Sequence, residues 1–388
     1  MQPWRKVALK ELKEMLRDKR VRSGAFVMPL FLVVVFVALF GYTISAVTDR
    51  KSQRIHVVKT DVPLAQTLKT AFDVREVASA EEGIQMVRDG KARLVLEFLP
   101  SAKGQQTIHA HYDPKEQTGE VAFRMVDAVF GKANEEALKV SLKARGIPET
   151  LARPIDLKSV PVKVGEGKGA SELIVSLLPY LLVLFAFTGG LAIAADLVAG
   201  EKEKNTLETL LISPIDRTQI VLGKTAALAA VCFASSMSGL IGFILCSLLK
   251  LKGSEVLFQD GLGISPAGVG AIVLMMLPLS VFFASILVAV SAYAKNMREA
   301  QTYLGLLNLV VVLPAVFSQV IGLTDLSRAM WINAIPILNT ATNIRAILLG
   351  KPEVVPIAMT VGVGLAIALA AGWLAVKLFQ REEVLTRV

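Results

Sequence analysis

The sequence predicts a polytopic α-helical membrane protein. It has six transmembrane helices per chain, an N-terminal amphipathic elbow helix, and an extracytoplasmic α/β domain between helices one and two. Three observations predict this. The 388 residues are 53% hydrophobic and 19% charged, below the quarter or so of charged residues usual in soluble chains. Six runs are long and apolar enough to span lipid, which takes roughly 20 residues of helix. The net charge of +9 is also lopsided, for residues 1–24 hold eight Lys/Arg against Glu11, Glu14 and Asp18.

Residues 1–24 read as a helix over 3–22. Trp4, Ala8, Leu12, Met15 and Leu16 share one face, and Lys6, Lys10, Lys13, Arg17 and Arg20 cover much of the rest. Such a basic amphipathic helix lies at the inner membrane surface, and its charge places the N-terminus in the cytoplasm. A signal peptide is set aside because the basic region is long and contains acids, and the apolar run exceeds an h-region. The first span is 25–48.

Residues 49–172 form a polar insert large enough for one domain. Strands are predicted at 55–59, 73–78, 93–99, 105–112 and 157–164, and helices at 63–72, 80–89 and 116–145, an α/β alternation. One crossing from a cytoplasmic start puts this insert outside. Spans two to six are 173–198, 219–249, 266–294, 301–323 and 354–379. Residues 199–218 form a cytoplasmic connector, 324–353 an outer loop, and 380–388 a cytoplasmic tail. Within the outer loop, 334–350 is apolar yet carries Asn339, Asn343 and Arg345. That pattern fits a re-entrant helix, whose backbone at membrane depth must be shielded by protein.

The connector is more elaborate than a turn needs. Asn205 can cap a helix, with Glu208 three residues on closing a capping box. Leu207, Leu210 and Leu211 make an apolar stripe at helical spacing. Pro214 stops the helix, because the residue before proline avoids the helical region. The result is a short, rigid helix of about eight residues, 206–213, apolar on one side and acidic near its start, suited to a groove on a soluble partner.

The stretch GEKEKNTLETLLISPIDRTQIVLGK, 200–224, resembles the cytoplasmic signature of ABC-2-type permeases, the membrane subunits of ATP-driven exporters. Glu201, Glu203, Thr206, Glu208, Leu210, Leu211, Pro214, Gly223 and Lys224 match its pattern. The resemblance covers the whole layout. The external insert, with IPILNT at 335–340, is similar to the NatB-type branch, which is associated with sodium extrusion. The resemblance implies a homodimer of permease chains at the cell membrane with two copies of a separate ATP-binding subunit, which carries ATP and Mg. This chain itself binds no cofactor and is not an enzyme. The residues implied in coupling to the ATPase are Glu201, Glu203, Thr206, Leu207, Glu208, Leu210, Leu211 and Pro214, with Glu201 and Glu203 the better candidates for charge pairs across subunits.

Other motifs carry less. LGKT at 222–225 ends like a Walker A loop, but the first glycine of that pattern is replaced by Thr218 and no strand precedes it. GEGKGAS at 165–171 also fails the spacing and reads as a linker. Cys232 and Cys246 lie on one helix face about 20 Å apart, too far for a disulfide. No nucleic-acid motif accompanies the basic charge. His109 and His111 place two rings on one face of a strand, a metal-ligand spacing, but exposed strand histidines are commoner and no metal is expected. Within the spans Tyr180, Thr188, Ser235, Ser236, Ser238, Ser280, Ser285, Thr302, Asn308 and Gln319 are candidates to line a path, chiefly Asn308, Gln319, Thr302 and Ser235. Hydroxyls also bond backbone carbonyls in ordinary helix packing. The span centres offer no acid, which speaks against a tight Na⁺ site and for an amphiphilic substrate such as a drug, peptide or lipid. The alternative from another class is a membrane-anchored sensor or scaffold whose external domain binds a ligand.

Overall fold

The structure, a computed structural model, describes residues 2–48, 54–60, 62–100, 106–114, 117–146, 170–204, 206, 214–249, 254–258, 261–321 and 329–381. The strand expected at 157–164 lies outside the described residues. The chain divides into two compact units, Met1–Gly41 with Lys163–Val388, and Tyr42–Val162.

In the first unit, helix α1 (Pro3–Arg17) starts at a proline in its first turn, where the missing N–H costs nothing. It ends at Asp18 rather than running on to residue 22. Asp18 is extended, and its Oδ1 accepts the Arg20 N–H at 2.7 Å, capping a new start at Lys19–Val21. A π-helical stretch, Arg22–Val27, then leads into α2 (Met28–Thr48). The buried face of α1 is Val7, Glu11 and Met15. Leu16, predicted on the apolar face, is exposed. The face is rotated because α1 packs along another helix of the same chain, α7 (Arg217–Leu249).

Among the described residues, six helices are long and apolar enough to cross a membrane: Lys19–Ile44, Glu172–Glu203, Arg217–Leu249, Pro266–Tyr293, Met297–Ile321 and Val354–Gln380. Three of them form the centre. These are α6 (Glu172–Ala195), α7 and α9 (Pro266–Tyr293); their most apolar stretches are 67%, 56% and 61% buried, against 28%, 22% and 17% for the other three. The flanking helices α10 (Met297–Ile321) and α12 (Val354–Gln380) leave long apolar faces exposed, as a lipid-facing surface requires.

Glycines set the closest approaches in the centre. A Cβ on Gly190 of α6 would lie 2.4 Å from Cys232 Sγ of α7, and one on Gly239 of α7 2.5 Å from the Phe185 ring. Small residues at such crossings let helix backbones approach where no hydrophobic force drives association. Cys232 and Cys246 are buried free thiols.

Between α10 and α12, a 3₁₀ turn (Met330–Ala334) and a strained residue precede α11 (Leu338–Leu348). Ile337 holds φ +73°, a left-handed conformation rare for a β-branched side chain. Nearly every residue of α11 is buried, against α6, α9, α10 and α12. Its polar residues explain how it stays there. Asn343 Nδ2 donates to Asn333 Oδ1, the Asn339 carbonyl and Thr360 Oγ1 at 2.9–3.0 Å. Arg345 bonds Ser176 Oγ at 2.9 Å and pairs with Glu172. The α11 polar residues are therefore satisfied within protein, as buried polar groups must be.

Among the described residues, the second unit holds a four-stranded sheet in the order β2-β1-β3-β4. The strands are β1 (Arg54–Val58), β2 (Asp73–Val77), β3 (Val95–Phe98) and β4 (Ile108–His111). β1 pairs in parallel with β2 and β3, and β4 closes the edge antiparallel to β3. Helices α3 (Pro63–Ala71) and α5 (Gln117–Ala144) cover one face over Ile55, Val57, Leu94 and Leu96. Helix α4 (Ala80–Arg88), capped by Ser79 Oγ at 3.2 Å from the Glu82 N–H, covers the other over Val77 and Val95. Because central β1 is buried on both faces, it reads as a continuous apolar run broken only by His56, which is 4% exposed.

Two expectations follow. Gly190→Ala overpacks the α6–α7 crossing and lowers stability by about 1–3 kcal/mol, read as a drop in the melting temperature of the detergent-solubilised chain. Adding Cys232→Ala recovers most of it. His56 is held below its ordinary pKa of 6.5, first by burial and then by Arg75 and Arg54, with Asp73 opposing. The unfolded chain therefore takes up this proton first, so stability present above about pH 6.5 is lost as pH falls toward the lower folded value. The protection factors of the β1 amides, corrected for the intrinsic exchange rate, should fall over that window in the wild type and change less in His56→Val.

Candidate functional site: an ion knot at the base of the connector

Residues from both ends of the signature stretch meet at Lys224. Gly223 and Lys224 stand about two turns into α7, where α1 crosses it. A Cβ on Gly223 would lie 2.6 Å from Val7 Cβ and 2.9 Å from the Trp4 carbonyl, so only glycine admits α1 this closely. The Trp4 N–H donates to Gln219 Oε1 at 3.2 Å, one turn before Gly223. The next residue, Lys224, is fully buried, and its Nζ meets Glu201 Oε1 at 2.8 Å, Glu11 Oε1 at 3.1 Å and the Leu197 carbonyl at 3.1 Å. An ammonium has three N–H donors, and all three have acceptors here. Glu11 is 3% exposed.

One lysine faces two carboxylates, and Lys10 adds a second cation 3.6 Å from Glu11 and 3.5 Å from Glu14. Partial burial alone would lower the Lys10 pKa, but Glu11, Glu14 and Glu201 outweigh it and hold it above its ordinary value. A cleft of about 560 Å³ opens beside the knot, lined by Lys10, Glu11, Glu14, Asp196, Glu201 and Lys204. The second oxygen of Glu201, Oε2, is buried and accepts no hydrogen bond.

Around the knot, the start of the connector is fastened to the central bundle. After α6 a π-helical stretch, Asp196–Gly200, and the turn Glu201–Glu203 carry the chain out. The Ala199 N–H donates to Ser291 Oγ of α9 at 3.2 Å. Lys202 donates to the Ala292 carbonyl and, at 3.1 Å, to that of Ala294, where α9 ends. Glu203 Oε2 accepts the Met297 N–H at 3.2 Å, at the start of α10. Lys204 pairs with Asp196 at 3.1 Å, and Thr206 Oγ1 donates to the Glu201 carbonyl at 3.3 Å.

Of the residues assigned to coupling, Glu201 faces inward onto Lys224 instead of presenting its charge, and Glu203 uses one oxygen on Met297. Thr206 and Pro214 are exposed. Asn205, Leu207, Glu208, Leu210 and Leu211 lie outside the described residues.

The residues assigned to a path are not brought together. Ser235 is buried in the α6–α7 seam, where a Cβ on Gly189 would lie 2.4 Å from it. Thr302 is exposed and donates to the carbonyl one turn back, at Arg298. Thr188, Ser280 and Ser285 make the same local bond, to Leu184, Met276 and Val281, the ordinary helix-packing use of a hydroxyl. Asn308 and Gln319 share a face of α10, being three turns apart. Asn308 Oδ1 is buried without a hydrogen bond. A separate apolar cleft of about 270 Å³ lies between α9, α10 and α12, lined by Ile286, Tyr293, Tyr303, Ala371, Leu374 and Leu378 among others.

Sequence reasoning gave Glu11 no role and named Lys224 only as a match to the signature. Their one signal was a glutamate amid the apolar positions of α1 and a lysine inside a helix that reads as a span.

The family described as "ABC-2 family transporter protein" matches residues 19–377. The ABC transporter permease protein NatB of Bacillus subtilis (strain 168) is 24% identical over 366 residues, covering 91% of this chain and 92% of that protein.

Lys224→Met strips the counter-charge from two buried carboxylates and should cost about 3–5 kcal/mol. Thermal unfolding in detergent reads this. Glu11→Gln with Glu201→Gln added to Lys224→Met removes the stranded charge and should recover much of the loss. A single variant as stable as the wild type would show that the knot is not holding the helices.

Proposed function

The chain belongs to the ABC-2 transporter family, and from that premise we propose that this permease works as the membrane half of an ATP-driven exporter, paired with a second copy of itself and with two ATP-binding subunits. The termini are cytoplasmic in this reading, because the Lys/Arg excess of residues 1–24 precedes the first span. The second unit then lies outside, and the connector meets the ATPase.

The observation that carries the reading is the ion knot. Lys224 ties α1, the end of α6 and the start of α7 into one body at the base of the connector. A push delivered by the partner to 206–213 then arrives on helices that move together. Closing and reopening of the ATPase pair would thereby switch the spans between two packings. ATP and Mg belong to the partner, and this chain supplies the path and the lever.

For the substrate, an amphiphile fits better than a bare cation. The polar groups the described span centres offer are hydroxyls and amides, and the cleft between α9, α10 and α12 is apolar with two tyrosines in its lining. A sodium ion held in the membrane calls for carboxylates or several carbonyls.

The test is reconstitution of the chain with its ATPase. Glu208→Lys and Leu211→Asp should abolish stimulated ATP turnover and co-purification of the ATPase while leaving membrane insertion intact. Normal turnover in an intact complex with both variants would end the coupling reading. Stimulation by Na⁺ alone, with no response to amphiphiles, would overturn the substrate assignment.

A further inference from the structure

The sheet of the second unit brings together three side chains that the motif His109-Ala-His111 only half announced. In the β3–β4 ladder Glu97 stands directly opposite His109, and His111 opposite Val95. Directly opposed residues point to the same face, and so do residues two apart on a strand. Glu97, His109 and His111 therefore project from one face. The other face of these strands is filled, since Leu96, Phe98, Ile108 and Ala110 pack into the core beneath α3 and α5.

The ligand atoms converge. His111 Nε2 lies 3.1 Å from Glu97 Oε2, and one donor atom from each of the three residues falls within 4.8 Å of the others. The two imidazoles stand edge to face, ring centroids 6.2 Å apart at 83°, so they do not stack and both can turn a nitrogen toward a shared point. Tetrahedral coordination at about 2.0–2.2 Å puts ligand atoms roughly 3.3 Å apart. One edge of that triangle already has this length. The others close by rotating side chains, with the backbone fixed by the ladder. His111 and Glu97 are 28% and 27% exposed and His109 is open to solvent, so an ion has access and room to keep a water.

We propose that Glu97, His109 and His111 form a binding site for a divalent transition-metal ion, of which Zn²⁺ is the type. The ligand set decides the class. Two imidazoles and one carboxylate suit borderline ions such as Zn²⁺, Ni²⁺ or Cu²⁺, whereas Mg²⁺ and Ca²⁺ prefer oxygen alone. Three protein ligands leave a fourth position for water or for a donor atom from another molecule. The ion bridges β3 to β4, the edge strand among the described residues, and so clips down a strand that has one described neighbour. The site is independent of the transport reading.

The test uses the full chain in detergent, stripped with chelator and dialysed against Zn²⁺, with Co²⁺ as a spectroscopic probe. The wild type should bind one Zn²⁺, displace Co²⁺ from an absorbing low-symmetry site, and melt at a higher temperature with the metal. His109→Ala and His111→Ala should each weaken binding by roughly 100-fold and abolish the thermal shift, with Glu97→Gln weaker in effect. His109 is exposed, so its removal does not threaten the fold. His56→Asn should leave the affinity unchanged. Zn²⁺ binding in the wild type no tighter than in the His109→Ala/His111→Ala double variant would overturn the proposal and leave Glu97–His111 as an ion pair.

Discussion

A lysine cannot be buried alone. Removing an unpaired ammonium from water costs far more than a protein's whole stability margin, so once Lys224 points inward the chain must bring it acceptors. It does so from two distant places, Glu11 some 213 residues earlier and Glu201 23 residues earlier. That demand explains several features at once. The N-terminal helix docks on α7 and presents a glutamate at the middle of its buried face. Gly223 lacks a side chain so that the docking can be close enough. The end of α6 turns its carbonyl at Leu197 and its carboxylate at Glu201 toward the same point.

The knot also divides the connector into parts with different mechanical character. Residues 199–204 are bonded to α9, to the start of α10 and to Lys224, so they belong to the bundle. The connector is thereby coupled to three central helices and not merely to the two it joins in sequence. The same logic recurs at α11, where Arg345 reaches Ser176 and Glu172 on α6. Both ends of α6 are thus held by cations from other helices, and the apolar middle is free to pack through glycine contacts.

Most of the architecture was legible because its signals are local. Six apolar runs, a basic leading segment and a β/α alternation are periodicities within windows of about 10–20 residues, and the described strands begin and end close to where the alternation puts them. What escaped was set by partners remote in sequence. The stripe on α1 was read from hydropathy, which leaves out Glu11 although its spacing falls among the apolar positions; only Lys224 makes it a core residue. Asp18 looked like one more charge on a helix, yet it starts a new one. The histidine pair was visible at its spacing of two, but Glu97 enters through a strand register that no local pattern specifies. Glu201 was read as an acid for another subunit because a signature motif gives residue types without saying which way they face.

Two π-helical stretches flank the knot, Arg22–Val27 and Asp196–Gly200. Each inserts about one residue beyond the regular turn, and one residue is roughly 100° of rotation about the axis. They act as phase shifters. In α6 the wide turn lets the apolar face below and Glu201 above both point into the protein. A regular helix through 196–200 would carry that carboxylate about a quarter of the way round and leave Lys224 facing Glu11 alone. At the other stretch Ser238 donates to the Phe26 carbonyl, fixing the angle at which the first span leaves α1. The register of the second turn, a single residue, sets the azimuth at which Glu201 meets Lys224.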